Sequence, residues 1–163
     1  MAIQAYISIL ELEKSGKVTG DCKQKGREGW IFVYAFEHEV VAPRDPHTGQ
    51  ASGKRQHKPL VITKKFDAAS PLLYQALCHN EVVKKLELQW FRTAKTGVEE
   101  HYFTHKLENA IVTQMRPYMK NTLDPDFTHY EHMEEVAFTY QKISWDAVVD
   151  KKAAQDDWLS PAV

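Results

Sequence analysis

Only two cysteines occur in the chain, Cys22 and Cys78. They are too few for a disulfide framework and stand at no metal-binding spacing, so both are expected as reduced thiols. Net charge is almost absent too: 21 Lys and Arg against 22 Asp and Glu leave −1, which argues against a chain built to coat nucleic acid. No window approaches the roughly 18 consecutive apolar residues of a membrane helix. The opening Met-Ala-Ile-Gln-Ala-Tyr-Ile-Ser-Ile-Leu lacks the basic segment and apolar block of a secretory signal, so folding in the cytosol is expected. Internal repeats, low-complexity tracts and linkers are absent. So are the phosphate-binding glycine loops and the G-x-S-x-G elbow of an activated serine.

What remains is an ordinary globular composition, 43% hydrophobic and 26% charged over 163 residues, expected to form one domain from 1 to 163. Strand patterns dominate. Ile3, Ala5, Ile7 and Ile9 alternate with Gln4, Tyr6 and Ser8, and Lys17 to Gly29 reads as a charged, glycine-bearing loop. Trp30 to Phe36 is apolar throughout. Ile31, Val33 and Ala35 are expected on one face, Trp30, Phe32, Tyr34 and Phe36 on the other. Such a strand needs cover on both sides, from the domain's own helix or from another subunit.

Ala42 to Lys58 shows no strand period and holds Pro43, Pro46, Gly49 and Gly53, so it reads as a long loop, of the kind that is functional or disordered. Leu60 to Thr63 resumes as a strand. Ser70-Pro71 opens the one clear helix, with Ser70 as cap and Leu73, Ala76 and Leu77 on its buried face, ending near Cys78 to Asn80. Leu86, Leu88 and Trp90 mark a strand that turns at Thr93 to Gly97 and returns through Glu99 to Phe103. Leu107 to Met115 and Val136 to Trp145 are two more strands, separated by a loop at Asp124-Pro125-Asp126. From Asp150 the chain is polar and reads as a partly ordered tail with Trp158 as anchor. About six to eight strands and one helix imply a mainly β fold, a small barrel or a sandwich of antiparallel strands closed at its side by the helix.

Catalytic chemistry finds little support. His101 and His105 lie about 13 Å apart on a strand, too far for one ion. His129, Glu131 and His132 can approach on a turn and define the alternative of a metal-dependent hydrolase, but no third ligand is implied. Glu134 and Glu135 point to opposite faces of a strand and cannot work as a pair. The loop cations Arg44, Lys54, Arg55 and Lys58 face Asp45 alone. They suit a protein-docking loop, a phosphate or nucleic-acid contact without aromatic platforms, or a solvated loop. No cofactor, metal or catalytic residue is expected.

Several runs, in order along nearly the whole chain, resemble the haemolysin co-regulated protein (Hcp) family. They are Glu28-Gly29-Trp30-Ile31, Phe36-Glu37-His38, Pro43, Asp45, Thr48-Gly49, Gly53, Arg55 and His57; then Lys64-Lys65-Phe66-Asp67 and Ser70-Pro71-Leu72-Leu73-Tyr74-Gln75-Ala76-Leu77; then Tyr102-Phe103, Leu107-Glu108-Asn109-Ala110, Pro117-Tyr118-Met119, Phe138-Thr139-Tyr140 and Ile143-Ser144-Trp145. The resemblance implies a small β-barrel with one short helix at its side and a long extended loop. It implies hexameric rings that stack into the inner tube of the type VI secretion system and leave the cell without a signal peptide. The partners it implies are other copies of the chain, the spike and sheath components, and small effector proteins held in the ring lumen, with no nucleic acid and no membrane. Arg44, Asp45, Thr48, Gly49, Gly53, Arg55 and His57 are then the expected ring-stacking contacts, and Trp30, Phe32 and Tyr34 the subunit-packing residues. Cys78-His79-Asn80 departs from relatives that place Gly at the helix exit, where Asn80 is expected to take the left-handed cap. Residues 146–163 fall in a variable tail with no assigned role, and no fused toxin domain is expected.

Overall fold

A computed structural model describes residues 4–160. β1 (Ala5–Leu12) starts with the expected alternation, Ala5 and Ile7 facing the core. A bulge between Ile7 and Ile9, in register with β8 (Val82–Thr93), then shifts the parity. Leu10 and Leu12 therefore enter the core, and Ile9 is only half-buried. Ile3 lies outside the described residues. Past a tight turn, β2 (Gly16–Lys17) pairs back on β1, so the expected loop begins as a short strand.

The spine of the molecule is β9 (Glu99–Tyr118), one strand of 20 residues where the sequence suggests two shorter ones. Its first part pairs with β8 on one side and with β11 (Lys142–Ala147) on the other. Its last part pairs with β10 (Met133–Thr139). The change of partner falls at Asn109, whose φ of 51° is tolerated because its short amide side chain suits the left-handed region. Val136 to Trp145 is likewise not one strand: Tyr140 and Gln141 turn the chain from β10 into β11. The expected tail forms β12 (Lys152–Asp157), an ordered edge strand on β11.

Ile31 to Glu37 shows why the sheet is not a continuous closed barrel. β3 (Ile31–Val33) pairs with β1, whereas β4 (Ala35–Glu37) pairs with β7 (Leu60–Lys65), which in turn pairs with β10. The ladder path β2-β1-β8-β9-β10-β7-β4 stays open, and the chain passes from β3 on β1 to β4 on β7 across Tyr34, whose N–H donates to the Thr63 carbonyl at 2.8 Å. Facing changes there. Ile31 and Val33 are buried, Tyr34 and Ala35 are both exposed, and Phe36 packs on the main core rather than beside Trp30 and Phe32. The uniform two-face pattern expected for this run fails because a strand that changes partner also changes its pleat.

Trp30 and Phe32 join Tyr6, Cys22 and Phe91 in a second, aromatic cluster. Part of their cover comes from the chain's own loop rather than from the helix. Cys22 packs into the cluster, and the Arg27 guanidinium lies 3.8 Å from the centre of the Phe91 ring. Gly20 lets the loop approach: a Cβ there would sit 2.7 Å from both the Trp30 carbonyl oxygen and the Ile31 side chain. Gly20→Ala is therefore expected to cost about 1–3 kcal/mol, seen as a lower urea midpoint at unchanged slope. An unchanged midpoint would mean that the loop shifts freely.

α1 (Ser70–Cys78) buries Leu73 and Ala76 against the sheet, and Asn80 takes the expected left-handed conformation (φ 54°). Ser70 is not the cap. The N-cap position is Ala69, and the Asp67 carboxylate accepts from the Ala69 N–H at 3.0 Å. Ser70 instead turns inward, where its hydroxyl lies 2.5 Å from Glu134 Oε1. Lys64 is fully buried at the same place, with Nζ 2.5 Å from Glu134 Oε1, 2.7 Å from Asp67 Oδ1 and 2.9 Å from Ser70 Oγ. The start of the helix is thus fastened to β7 and β10 by a charged cluster inside the core.

Candidate functional site

Residues 42–58 are a long loop, as expected, and two backbone pairings draw its limbs together into a hairpin arm. β5 (Val40–Val41) pairs with β6 (Gln56–His57) at its root, and Arg44 bridges Ala51 further out. Two pairs separated by proline and glycine carry no period-2 signal, which hides the hairpin from pattern reading. The tip is a turn organised by Asp45, whose carboxylate accepts from the His47 N–H at 2.7 Å and whose carbonyl accepts from the Gly49 N–H at 2.8 Å. Gly49 supplies the positive φ of 74°. Arg44, Thr48, Gly49 and Gly53 are exposed and Asp45 is half-buried, so five of the seven expected stacking residues occupy the outer arm.

The other two, Arg55 and His57, are spent within the chain. Arg55 Nε is 2.5 Å from Asp156 Oδ2, and its guanidinium also donates to the Asp157 carbonyl at 3.0 Å. The His57 side chain is only 2% exposed. Its Nε2 lies 2.6 Å from Asp156 Oδ2 and its Nδ1 2.6 Å from the Tyr140 hydroxyl, which is in turn 2.7 Å from His38 Nε2. Trp158 donates its indole N–H to the Tyr140 carbonyl, so it does anchor the tail. The Arg55 guanidinium, with His57 adding to it, holds Asp156 below the usual carboxylate range against the opposing effect of burial. Burial and the Asp156 charge raise the Tyr140 hydroxyl, which stays protonated. Sequence reading missed His38, Tyr140 and Asp156 as parts of one seat. The signal lay in three polar residues far apart in the chain, and only the fold brings them together.

The remaining expectations divide. Trp30 and Phe32 are half-buried in the aromatic cluster, while Tyr34 is 42% exposed beside Lys65, whose ammonium lies 5.1 Å from its ring centre. Tyr34 and Phe66 rim a shallow depression of about 260 Å³. Of the arm's four cations, Arg55 is held by Asp156 and Lys58 lies 3.2 Å from Glu39, leaving Arg44 and Lys54 on the exposed hairpin. Glu131 pairs with Lys65 at 2.9 Å, the His132 ring packs on Phe66 and the His129 ring on Tyr130. His105 accepts from the Trp90 indole at 2.8 Å, and His101 lies 2.6 Å from the Thr104 hydroxyl.

Comparison with known proteins agrees with this geometry over the full chain. Residues 6–146 match the family model described as type VI secretion system effector, Hcp. The Major exported protein of Pseudomonas aeruginosa is 46% identical over 99% of this chain and 98% of its own length. A crystal structure described as an Hcp protein superposes with a TM-score of 0.89 at 32% identity, covering 96% of this chain and 98% of that one. The secreted protein Hcp3 of Pseudomonas aeruginosa superposes with a TM-score of 0.80 at 39% identity, over 98% and 100% of the two chains. On the family match over residues 6–146 and the 46% identity along 99% of its length, the chain belongs to the Hcp family of type VI secretion proteins.

Proposed function

We propose that this chain is an exported structural subunit of a type VI secretion system, without catalytic activity, which assembles into hexameric rings that stack into a tube. The observation that carries the reading is the arm. Its exposed tip is shaped by its own turn, and its root is clamped to β12, so it presents a preorganised surface to a second copy. Arg44, Asp45, Thr48, Gly49 and Gly53 make the contact between rings, and Arg55 and His57 aim it. Single exposed ion pairs contribute only about 0–1 kcal/mol, so stacking is weak per subunit and multiplied by ring symmetry. Trp30, Phe32 and Tyr34 contribute to packing between subunits within a ring, Tyr34 most directly because it is exposed at the edge where the ladder changes partner. In this reading the sheet edges at Tyr34 are completed by neighbouring subunits, spike and sheath components are further partners, and the ring lumen carries small effector proteins.

The test is the mass of the purified protein by light scattering, with negative-stain images of the same peak. Six-fold rings with an open centre are expected. Replacing residues 45–50 by Asn-Gly closes the Arg44–Ala51 bridge with a two-residue turn. That variant is expected to keep the ring mass and lose stacks. Tyr34→Glu is expected to stay folded and lose the ring. A monomer at micromolar concentration for the unaltered chain overturns the assembly reading.

A further inference from the structure

The seat of the arm has a property that the assembly reading does not require. Its polar groups form a hydrogen-bonded chain, His38–Tyr140–His57–Asp156, which Arg55 joins at Asp156, and the chemistry of each partner settles which atom donates. A carboxylate only accepts, so His57 Nε2 carries a proton toward Asp156. With His57 neutral, its Nδ1 is a lone pair, the Tyr140 hydroxyl donates to it, and the Tyr140 oxygen accepts from His38 Nε2–H. With one added proton on His57 Nδ1, the hydroxyl rotates and donates to His38 Nε2, whose own proton passes to Nδ1 by exchange with solvent, and the three contacts are again satisfied. With protons on both imidazoles, two N–H donors face one hydroxyl at 2.7 and 2.6 Å, its own proton has no acceptor, and two positive charges are bridged by a single oxygen. The chain tolerates one proton and not two.

We infer that His38, Tyr140, His57 and Asp156 form a proton-operated clasp, closed while at most one imidazole is charged, whose opening on acidification frees the arm root from Tyr140 at the turn between β10 and β11, while Arg55 and Asp156 keep it on β12. This rests on the proposed role of the arm and adds regulation to it. The surrounding charges favour the closed state at neutral pH. Arg55 and Asp156 neutralise one another beside His57, Asp157 stands one residue beyond, and Lys58 with Glu39 balances the outer side of the root. On the far side of Phe36 lies His105, whose ring centre is 5.1 Å from that of Phe36, while that of His38 is 6.4 Å away. Burial, with the charge of His57 adding to it, lowers His38 below the ordinary imidazole value of 6.5. The folded state thus binds this proton more weakly than the unfolded chain does. The clasp's contribution is complete above pH 6.5 and is lost as pH falls below it.

Hydrogen exchange of the whole protein, corrected for intrinsic rates, tests the clasp between about pH 7.5 and about pH 5. Amides of the arm root and of the turn at Tyr140 and Gln141 are expected to exchange about tenfold faster at the acid end, the factor for losing about one net hydrogen bond. Amides of β8 and β9 are expected to stay protected. His38→Gln keeps a donor for Tyr140 and cannot charge, so it is expected to stay closed throughout. Should that variant fail to fold by circular dichroism at neutral pH, His57→Gln replaces it with the same expectation. Unchanged protection of the arm root and of the Tyr140 turn in the unaltered chain, equal loss in the glutamine variant, or simultaneous loss in β8 and β9 each overturn the clasp. The exchange pattern does not depend on ring formation. A monomer with the predicted pattern refutes assembly and keeps the clasp, while rings without it do the reverse.

Discussion

Lys64→Met is expected to destabilise the protein by about 3–5 kcal/mol, the cost of leaving a buried charge without its partner. Lys64 and Glu134 are both fully buried, and Lys64 reaches two carboxylates and the Ser70 hydroxyl at once. Removing it strands Glu134, whose Oε2 already has no hydrogen-bond partner, in the core. Burial and the Glu134 charge also raise the nearby Tyr74 hydroxyl above its ordinary value. Replacing both charges, Lys64→Met with Glu134→Leu, is expected to return to within about 1–2 kcal/mol of the parent, because a well-packed apolar pair matches a buried ion pair in stability. Urea denaturation of the two variants and the parent decides the matter. A single substitution costing less than about 1 kcal/mol would show that Glu134 finds a proton or a water without Lys64.

The second large effect is on pH dependence. The Trp90 indole only donates, so His105 Nδ1 is a lone pair and the ring is neutral. A proton there would set two N–H groups head to head across 2.8 Å. Burial, with the charge of His38 adding to it, lowers His105 from 6.5 to about 4. The folded state binds this proton less tightly than the unfolded state. Its contribution is therefore complete above pH 6.5 and is lost as pH falls toward 4. Each tenfold of proton affinity is about 1.4 kcal/mol, so the full loss is about 3 kcal/mol. Urea midpoints at about pH 7 and about pH 4.5 are expected to differ more for the parent than for His105→Gln, whose amide oxygen accepts from Trp90 without titrating. Equal losses in both proteins would place the acid sensitivity elsewhere, His38 being the next candidate since it titrates with the same sign.

The two effects were not equally legible in the chain. Histidines that either face water or are fixed in one tautomer fit the strand pattern around His101 and His105, because a residue every second position must find a partner across the sheet or face water. The Lys64 cluster leaves no such mark. Lys64-Lys65 enters only as part of a family motif, and Glu134-Glu135 reads as two carboxylates on opposite faces of a strand. Only the pairing of β7 with β10, which sets Glu134 opposite Lys64, turns one of the two carboxylates into a partner. The Asp45 turn with its Gly49 lay within reach of local turn chemistry, but residues 42–58 read only as one long loop. The hairpin root was not legible, because two-residue pairings have no period.

Local physics in the sequence was enough to establish a mainly β chain, one helix over Ser70–Cys78 with Asn80 at its exit, the hairpin turn after Thr93, and an ordered motif series shared with the Hcp family. These depend on neighbours within a few residues, where alternation, capping and turn chemistry act. The tertiary structure alone decided that β9 runs unbroken past Asn109, that Tyr34 divides two ladders, that the chain's own loop partly covers Trp30 and Phe32, and that Arg55 and His57 serve the root of the arm. Each of these depends on which distant strand a residue meets. That choice is made by the combined burial of the whole sheet, whose contributions come from residues up to a hundred positions apart and leave no local trace.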